Sequence, residues 1–185
     1  MTWCLVGSEM CIRDSLLLYE WCCSGGMQSQ SALNILQKAS REDFLREGRL
    51  MLETLACDAE KNADLNITVM VDATLPTTEV PNFSEHITIE KIASGKSHSS
   101  LLAMASEADQ IIIIAPETHN ILSQTIIAVE QAGFGDRLVN CPLPFILAAS
   151  DKQTTCAMLA AAGIPTPAGC TLPAGGSLPA GFRLP

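Results

Sequence analysis

The sequence predicts an α/β protein built on a Rossmann-like parallel sheet, and three observations support this fold class. Residues 110–115 carry four consecutive isoleucines without alternation, a pattern typical of a strand buried on both faces at the centre of a parallel sheet. Residues 65–71 form a second β-branched run that ends at Asp72. Helical patterns separate these runs, and strand alternating with helix is the order of βαβ units.

Composition limits the classes of function. The 185 residues carry a net charge of −9, which argues against a nucleic acid partner because no basic patch could release counterions. No apolar run is long enough to cross a membrane. The eight cysteines show neither paired CxxC motifs nor the spacing of a zinc site, and the neighbours Cys22 and Cys23 are poorly placed for a disulfide. We therefore expect a reducing, cytoplasmic location.

The first fifteen residues fit neither the strand pattern nor a signal peptide. They lack a basic start, and charged residues interrupt every apolar stretch. Residues 4–15 resemble the translation of a sequencing adapter. We therefore predict that residues 1–15 are an artefactual leader and that the natural sequence begins near Leu16.

The first predicted strand is Leu16–Trp21, and Ser24, Gly25 and Gly26 form the turn that follows. A glycine pair lets the backbone approach a ligand closely, although the third glycine of the dinucleotide fingerprint is missing. Glu20 lies at the carboxyl end of this strand, where open α/β sheets bind their ligands. The alternative for Glu20 is an ordinary solvated carboxylate.

Residues 40–61 form the clearest helix, with Ser40 as its cap and one apolar stripe for the sheet. Residues 74–85 are predicted as loop, 87–89 as a short strand and 101–108 as a helix. The segment 94–97 ends like a phosphate loop, but Glu90 stands where that motif needs glycine, so we reject it.

The isoleucine strand ends at Pro116, which places Glu117 and His119 at its carboxyl tip. His119 alone is more typical of a tolerated loop histidine than of a catalyst. A helix over 121–131 and a short strand over 138–140 complete this region, and residues 142–149 connect it to the next helix.

A short helix with a lysine in its first turn begins after Ser150. Ser150 and Gln153 could form a capping box, and Gly163 stands where a left-handed C-cap is expected. A cation is unfavourable at the positive end of a helix, so Lys152 suggests a place for phosphate. The alternative is a solvated surface lysine.

These segments resemble one enzyme superfamily. Ser150-Asp151-Lys152, Leu159 and Gly163-Ile164-Pro165-Thr166-Pro167 resemble the opening of the ATP-grasp ligase core. Two upstream segments are similar to the domain that precedes this core: Leu18-Tyr19-Glu20 with Ser24-Gly25-Gly26, and Ala115-Pro116-Glu117-Thr118 through Leu122. The combination, over residues 16–169, is similar to the tyramine–glutamate ligase type.

The resemblance implies a pre-ATP-grasp α/β domain over 16–149 and the first helix of an incomplete, truncated ATP-grasp domain over 150–185. The parent reaction would use ATP and Mg²⁺ to activate a carboxylate as an acyl-phosphate and couple it to an amine. Lys152 would contact the nucleotide phosphates. The residues that would line the substrate site are Glu20, Ser24, Gly25, Gly26 and Glu117. In this family the metal ligands lie further downstream, so none is predicted here.

The implied partners are a small carboxylate and a small amine, with no nucleic acid and no membrane, and a homodimer stays open. We expect residues 16–185 alone not to turn over ATP. The alternative is a self-contained α/β domain that binds a small ligand or nucleotide without catalysis.

Overall fold

The computed structural model describes residues 14–28, 41–167, 169–172 and 175–177. The predicted cap Ser40 and most of the predicted leader lie outside these residues. The chain divides into two compact units, Met1–Cys141 and Pro142–Pro185. The domain boundary at 149/150 stays a prediction.

The first unit contains a four-stranded sheet whose strands are all parallel. Its strands are β1 (Asp14–Glu20), β2 (Leu65–Asp72), β3 (Thr88–Ile92) and β4 (Gln110–Ile114), in the order β3-β2-β1-β4. The helices α1 (Arg41–Ala59), α2 (Ser97–Ala105) and α3 (Ile121–Gln131) connect or follow the strands. This arrangement confirms the predicted α/β, Rossmann-like fold class.

Helix α1 covers the sheet with the stripe that its sequence predicts. Leu45, Gly48, Leu52 and Ala56 are its buried residues, spaced three or four apart. Glu42 and Asp43 lie in its first turn, where acidic side chains stabilise the positive end of a helix.

Among the strands that the structure describes, the isoleucine strand lies at the edge of the sheet, so the prediction that it lies at the centre was wrong. Ile111 and Ile113 are buried, whereas Ile112 and Ile114 are only half-buried. The inner strands are β1 and β2, and β1 pairs with β2 on one side and β4 on the other. Helices α1 and α2 both contact β1, which explains why its apolar run is buried without alternation.

The predicted strand over 138–140 was also wrong. Leu138 forms a single bridge to Ile111, and the Val139 amide donates to the Ile111 carbonyl at 2.9 Å. The Asn140 side chain then replaces a strand: its amide nitrogen donates to the Ile113 carbonyl at 2.8 Å, and its oxygen accepts from the Ile113 amide at 2.9 Å. One side chain thereby satisfies both backbone groups of an edge residue.

Strand β1 begins two residues earlier than predicted. Asp14 and Ser15 pair with Leu65 and Asn66 of β2. The Ser15 amide donates to the Asp109 carboxylate at 2.9 Å, which fixes the start of β1 beside the start of β4. These two residues of the predicted leader are therefore part of the sheet, and the adapter origin of residues 4–15 stays a prediction.

The described part of the second unit includes the helices α4 (Leu143–Ser150) and α5 (Lys152–Ala161). Asp151, not Ser150, caps α5, because its carboxylate accepts the Thr154 amide at 2.6 Å. Ser150 instead ends α4, which the sequence analysis described only as a connection.

The predicted end of α5 is confirmed. Gly163 has a φ of 74° and donates to Ala160, while the Ile164 amide donates to the Leu159 carbonyl at 3.0 Å. This pair of bonds is a Schellman motif, which needs a left-handed residue at the glycine position.

Among the helices that the structure describes, none is both long and apolar enough to span a bilayer.

Candidate functional site

The loop after β1 is folded tightly against the carboxyl end of β2. The Ser24 hydroxyl donates to the Met70 carbonyl at 2.8 Å, and the Asp72 amide donates to the Cys23 carbonyl at 2.7 Å. The Ser24 side chain is fully buried. Ser24, predicted to line the substrate site, therefore anchors the loop from beneath.

Gly25 and Gly26 occupy positions that a larger residue would disturb. Gly25 has a φ of +84°, which favours glycine, and a Cβ there would lie 3.3 Å from a carboxylate oxygen of Asp72. A Cβ on Gly26 would lie 2.2 Å from the Nε1 atom of Trp21. Both glycines are therefore required by the turn and its packing, and any approach of a ligand to them stays a prediction.

The side chain of Gln28 connects the loop after β1 with the carboxyl end of β2 and with the segment after β3. Its Nε2 atom donates to Asp72 Oδ2 at 2.5 Å and to Thr74 Oγ1 at 2.6 Å. Its Oε1 atom accepts from the Ser94 hydroxyl at 2.5 Å. We call Gln28, Asp72, Thr74 and Ser94 the edge network, since they connect the loop after β1 with the segments that follow β2 and β3.

Asp72 is the centre of the edge network. Its side chain is 2% exposed, and its second oxygen, Oδ1, accepts the amide and the hydroxyl of Thr74, each at 2.8 Å. With Gln28, three donors surround one buried carboxylate. A buried carboxylate that is fully hydrogen-bonded rigidifies its surroundings.

Glu20 is buried next to the loop rather than exposed at the crevice. Its side chain is 1% exposed, and its Oε2 atom accepts the Cys23 amide at 2.7 Å. Helix α1 covers it at Gly48, where an added Cβ would lie 2.5 Å from Oε2. Glu20 thus organises the loop, and direct contact between its carboxylate and a substrate stays a prediction.

Burial raises the pKa of the Glu20 carboxyl, and the backbone amides of Cys23 and Cys22 oppose this by stabilising the charged form. Burial also raises the pKa of the Cys22 and Cys23 thiols, and the negative charge of Glu20 adds to the effect. The two cysteines therefore stay protonated and are poor nucleophiles.

Glu20→Gln is expected to change the pH dependence of stability. Because the pKa of Glu20 is raised by folding, the native state keeps a proton that the unfolded state loses above about pH 4. Wild-type stability therefore falls as the pH rises through this window, and the glutamine variant lacks this loss.

Urea unfolding at a series of pH values measures the effect. The difference in free energy of unfolding, variant minus wild type, should increase with pH. A difference that stays constant or decreases would contradict the assignment.

Glu117 lies at the same edge of the sheet and is exposed. It follows β4, and the loop after β1 is joined to β4 by the Trp21 amide, which donates to the Ile114 carbonyl at 2.8 Å. His119 and Asn120 have φ values of 57° and 59°, a left-handed conformation that is uncommon for residues other than glycine. Of the two predicted substrate carboxylates, Glu117 is exposed and Glu20 is buried.

A cavity of about 630 Å³ opens at the carboxyl ends of β2 and β3. Its walls include Asp72 and Lys91 together with apolar side chains of the segment after β2. That segment is fastened to α1: Arg49 Nη1 donates to the Thr78 carbonyl at 3.0 Å, and Glu53 accepts the Asn82 amide at 2.8 Å. The cavity wall is thus held in place before any ligand binds.

Lys152 belongs to the second unit, and its side chain is exposed. It lines a cavity of about 430 Å³ together with Gln153, Cys156 and Cys170. A phosphate at the beginning of α5 would compete with the Asp151 carboxylate, which already accepts the Thr154 amide there. That bond lowers the pKa of Asp151, so the competitor stays negatively charged. Lys152 itself suits a phosphate, whereas the end of α5 beside it does not.

No group of three histidine, cysteine or acidic side chains that could hold a metal occurs within the described residues. We therefore assign no step to Mg²⁺ from this part of the chain.

Three members of the edge network, Gln28, Thr74 and Ser94, were not predicted as site residues, and Asp72 was predicted only as a strand end. A usable signal was present, because Asp72 and Ser94 both follow predicted parallel strands, whose carboxyl ends share one edge. Gln28 carries no such signal, since its position depends on how the preceding loop folds.

Comparison with known proteins gives a family match over part of the chain. No curated protein and no solved structure gives a significant match. Residues 65–144 match a protein family described as the pre ATP-grasp 3 domain. The matched region contains β2, β3 and β4, whose carboxyl ends provide Asp72, Ser94 and Glu117. The match supports a relationship between this chain and the ATP-grasp superfamily.

Proposed function

We propose that this chain supplies the pre-ATP-grasp domain of an ATP-dependent ligase that joins a carboxylate to an amine through an acyl-phosphate. The observation that carries the proposal is the edge network, which joins three strand ends in a chain that matches the pre ATP-grasp 3 domain. A rigid edge beside a cavity of about 630 Å³ suits a small molecule.

The described residues divide into positioning and binding roles. Glu20, Ser24 and the edge network hold the loop that carries Gly25 and Gly26. Lys91 is a positively charged residue that lines the cavity of about 630 Å³, and we propose that it binds the substrate carboxylate. Glu117 is exposed at the same edge and would face the amine.

Lys152 would contact the nucleotide phosphates from the second unit. ATP supplies the phosphoryl group that activates the carboxylate, and the charge of Lys152 would balance the phosphates. The likeness to the tyramine–glutamate ligase type makes L-glutamate and tyramine the first substrates to test.

Lys152→Ala is expected to weaken binding of the non-hydrolysable analogue Mg·AMP-PNP by about 10- to 100-fold, the loss that follows from removing a hydrogen bond to a charged group. Isothermal titration calorimetry on the full chain measures this affinity. Lys61→Ala is the matched control, because Lys61 is exposed and contacts only Asp58 among the described acidic side chains.

Equal affinities for the wild type and Lys152→Ala would remove Lys152 from the nucleotide site. Binding of a small carboxylate by a chain that binds no nucleotide would favour the alternative, a self-contained ligand-binding domain.

A further inference from the structure

The segment that follows α5 returns alongside the helix. The Schellman turn at Gly163 reverses the chain, and Pro165 and Pro167 prevent a continuation of the helix. The Thr171 hydroxyl then donates to Gln153 Oε1 on the first turn of α5. The return of the chain thus brings residues 169–171 against the beginning of the helix.

Two cysteines line one cavity in this arrangement. Cys156 lies three residues after Gln153, so the two side chains share one face of α5. Cys170 precedes Thr171, which contacts Gln153. Both cysteines are free thiols and line the same cavity of about 430 Å³ as Lys152.

We propose that Cys156 and Cys170 are a thiol pair that forms a reversible disulfide and closes the cavity beside Lys152. Cys156 is half-buried and Cys170 is exposed, so a small oxidant can reach the pair. Gly169 allows the backbone to adjust to disulfide geometry. The effect on Lys152 rests on the proposed function, whereas formation of the disulfide does not.

The oxidant is a low-molecular-weight disulfide such as oxidised glutathione. One thiolate attacks a sulfur of glutathione disulfide, which forms a mixed disulfide and releases one glutathione thiol. The second cysteine thiolate then attacks the protein sulfur of the mixed disulfide, which forms the Cys156–Cys170 bond and releases the second glutathione. The protein loses two electrons and two protons, and both are recovered in two molecules of reduced glutathione.

Mass spectrometry of the full chain tests the bond. The chain is equilibrated in glutathione buffers of increasing oxidised fraction, alkylated and digested with trypsin, which releases residues 153–183 as one peptide. We expect this peptide to lose both alkyl groups together, to be two hydrogens lighter than the reduced peptide, and to regain alkylation after dithiothreitol. Alkylation of both cysteines throughout, or glutathione attached to each separately, would overturn the proposal.

Two variants separate this pair from the other cysteines. Cys156→Ser should leave Cys170 as a mixed disulfide with glutathione, and Cys170→Ser should do the same for Cys156. Cys57→Ser and Cys141→Ser are controls, because both residues are exposed thiols of the first unit and should leave the 153–183 linkage unchanged.

Binding of Mg·AMP-PNP to the oxidised and reduced chains tests the closing of the cavity. We expect at least a fivefold weaker affinity after oxidation, reversed by dithiothreitol. Equal affinities in both states would overturn the closing. Formation of the disulfide in a chain that binds no nucleotide in either state would support the thiol pair and reject the proposed function.

Discussion

Gly48→Ala is expected to destabilise the first unit by about 1–3 kcal/mol, the usual cost of inserting a group into a packed core. The new Cβ would lie 2.5 to 2.7 Å from the carboxylate atoms of Glu20, which are themselves held by the Cys23 amide. Alanine favours a helix over glycine by about 1 kcal/mol, so any net loss of stability must come from this collision.

Urea unfolding of Gly48→Ala, Glu20→Ala and the double variant measures the collision. We expect the double variant to be more stable than the sum of the single losses predicts, because removing the carboxylate makes room for the methyl group. Cys57→Ala, on the exposed face of the same helix, should change stability by less than about 0.5 kcal/mol. A Gly48→Ala variant that is more stable than wild type would contradict the close approach of α1 to Glu20.

Asp72→Ala is expected to destabilise the carboxyl edge by about 1–3 kcal/mol, because it leaves buried donors without an acceptor. The amide and hydroxyl of Thr74 and the Gln28 side chain all donate to this carboxylate. Besides the loss of stability, we expect structural changes near Gln28 and Ser94, because the Gln28 side chain also accepts a hydrogen bond from Ser94.

Unfolding by urea gives the stability loss, and amide chemical shifts in ¹⁵N–¹H spectra give its position. The largest shifts should fall on Gln28, Thr74 and Ser94. Asp58→Ala is the control, because Asp58 forms an exposed ion pair with Lys61 that should contribute little. Shifts spread evenly over the first unit, or a stability equal to that of Asp58→Ala, would contradict the edge network.

The sequence predicted where helices and strands lie along the chain better than it predicted which strands are neighbours in the sheet. The bounds of α3 and the end of β2 at Asp72 agree with the structure, because proline, glycine and a change of hydrophobic pattern mark them locally. The position of β4 was not predictable in this way. Four isoleucines indicate burial, but only the strand order β3-β2-β1-β4 shows that this strand lies at the edge of the described sheet.

The error at residues 138–140 has a similar cause. The apolar pair Leu138 and Val139 beside a polar residue resembles a short strand. The Asn140 side chain, however, forms both hydrogen bonds to Ile113 that a further strand residue would form. Side chains that imitate backbone are invisible to patterns of hydrophobicity, because such patterns report burial and not hydrogen-bond partners.

The sequence predicted that the candidate site lies at the carboxyl edge of the sheet, but it did not predict which side chains are exposed there. The rule that ligands bind beyond the carboxyl ends of parallel strands predicted that Glu20, Gly25 and Glu117 lie at this edge. The structure places them there, and their contact with a ligand stays a prediction. The rule does not say which side chains point outward. Glu20 is covered by Gly48 and Glu117 is exposed, a difference that depends on contacts between α1 and β1.

Mapping of ligand binding by ¹⁵N–¹H spectra tests whether the carboxyl edge of the sheet binds a small substrate. L-glutamate and tyramine would be added separately to the full chain, with Asp72→Ala as the comparison. We expect amide shifts grouped at residues 22–28, 72–75, 91–95 and 116–120, and weaker shifts in the variant. Shifts grouped at the opposite edge, around Ser15, Glu107 and Leu65, would contradict a substrate site at the carboxyl edge, and so would the absence of shifts with both ligands.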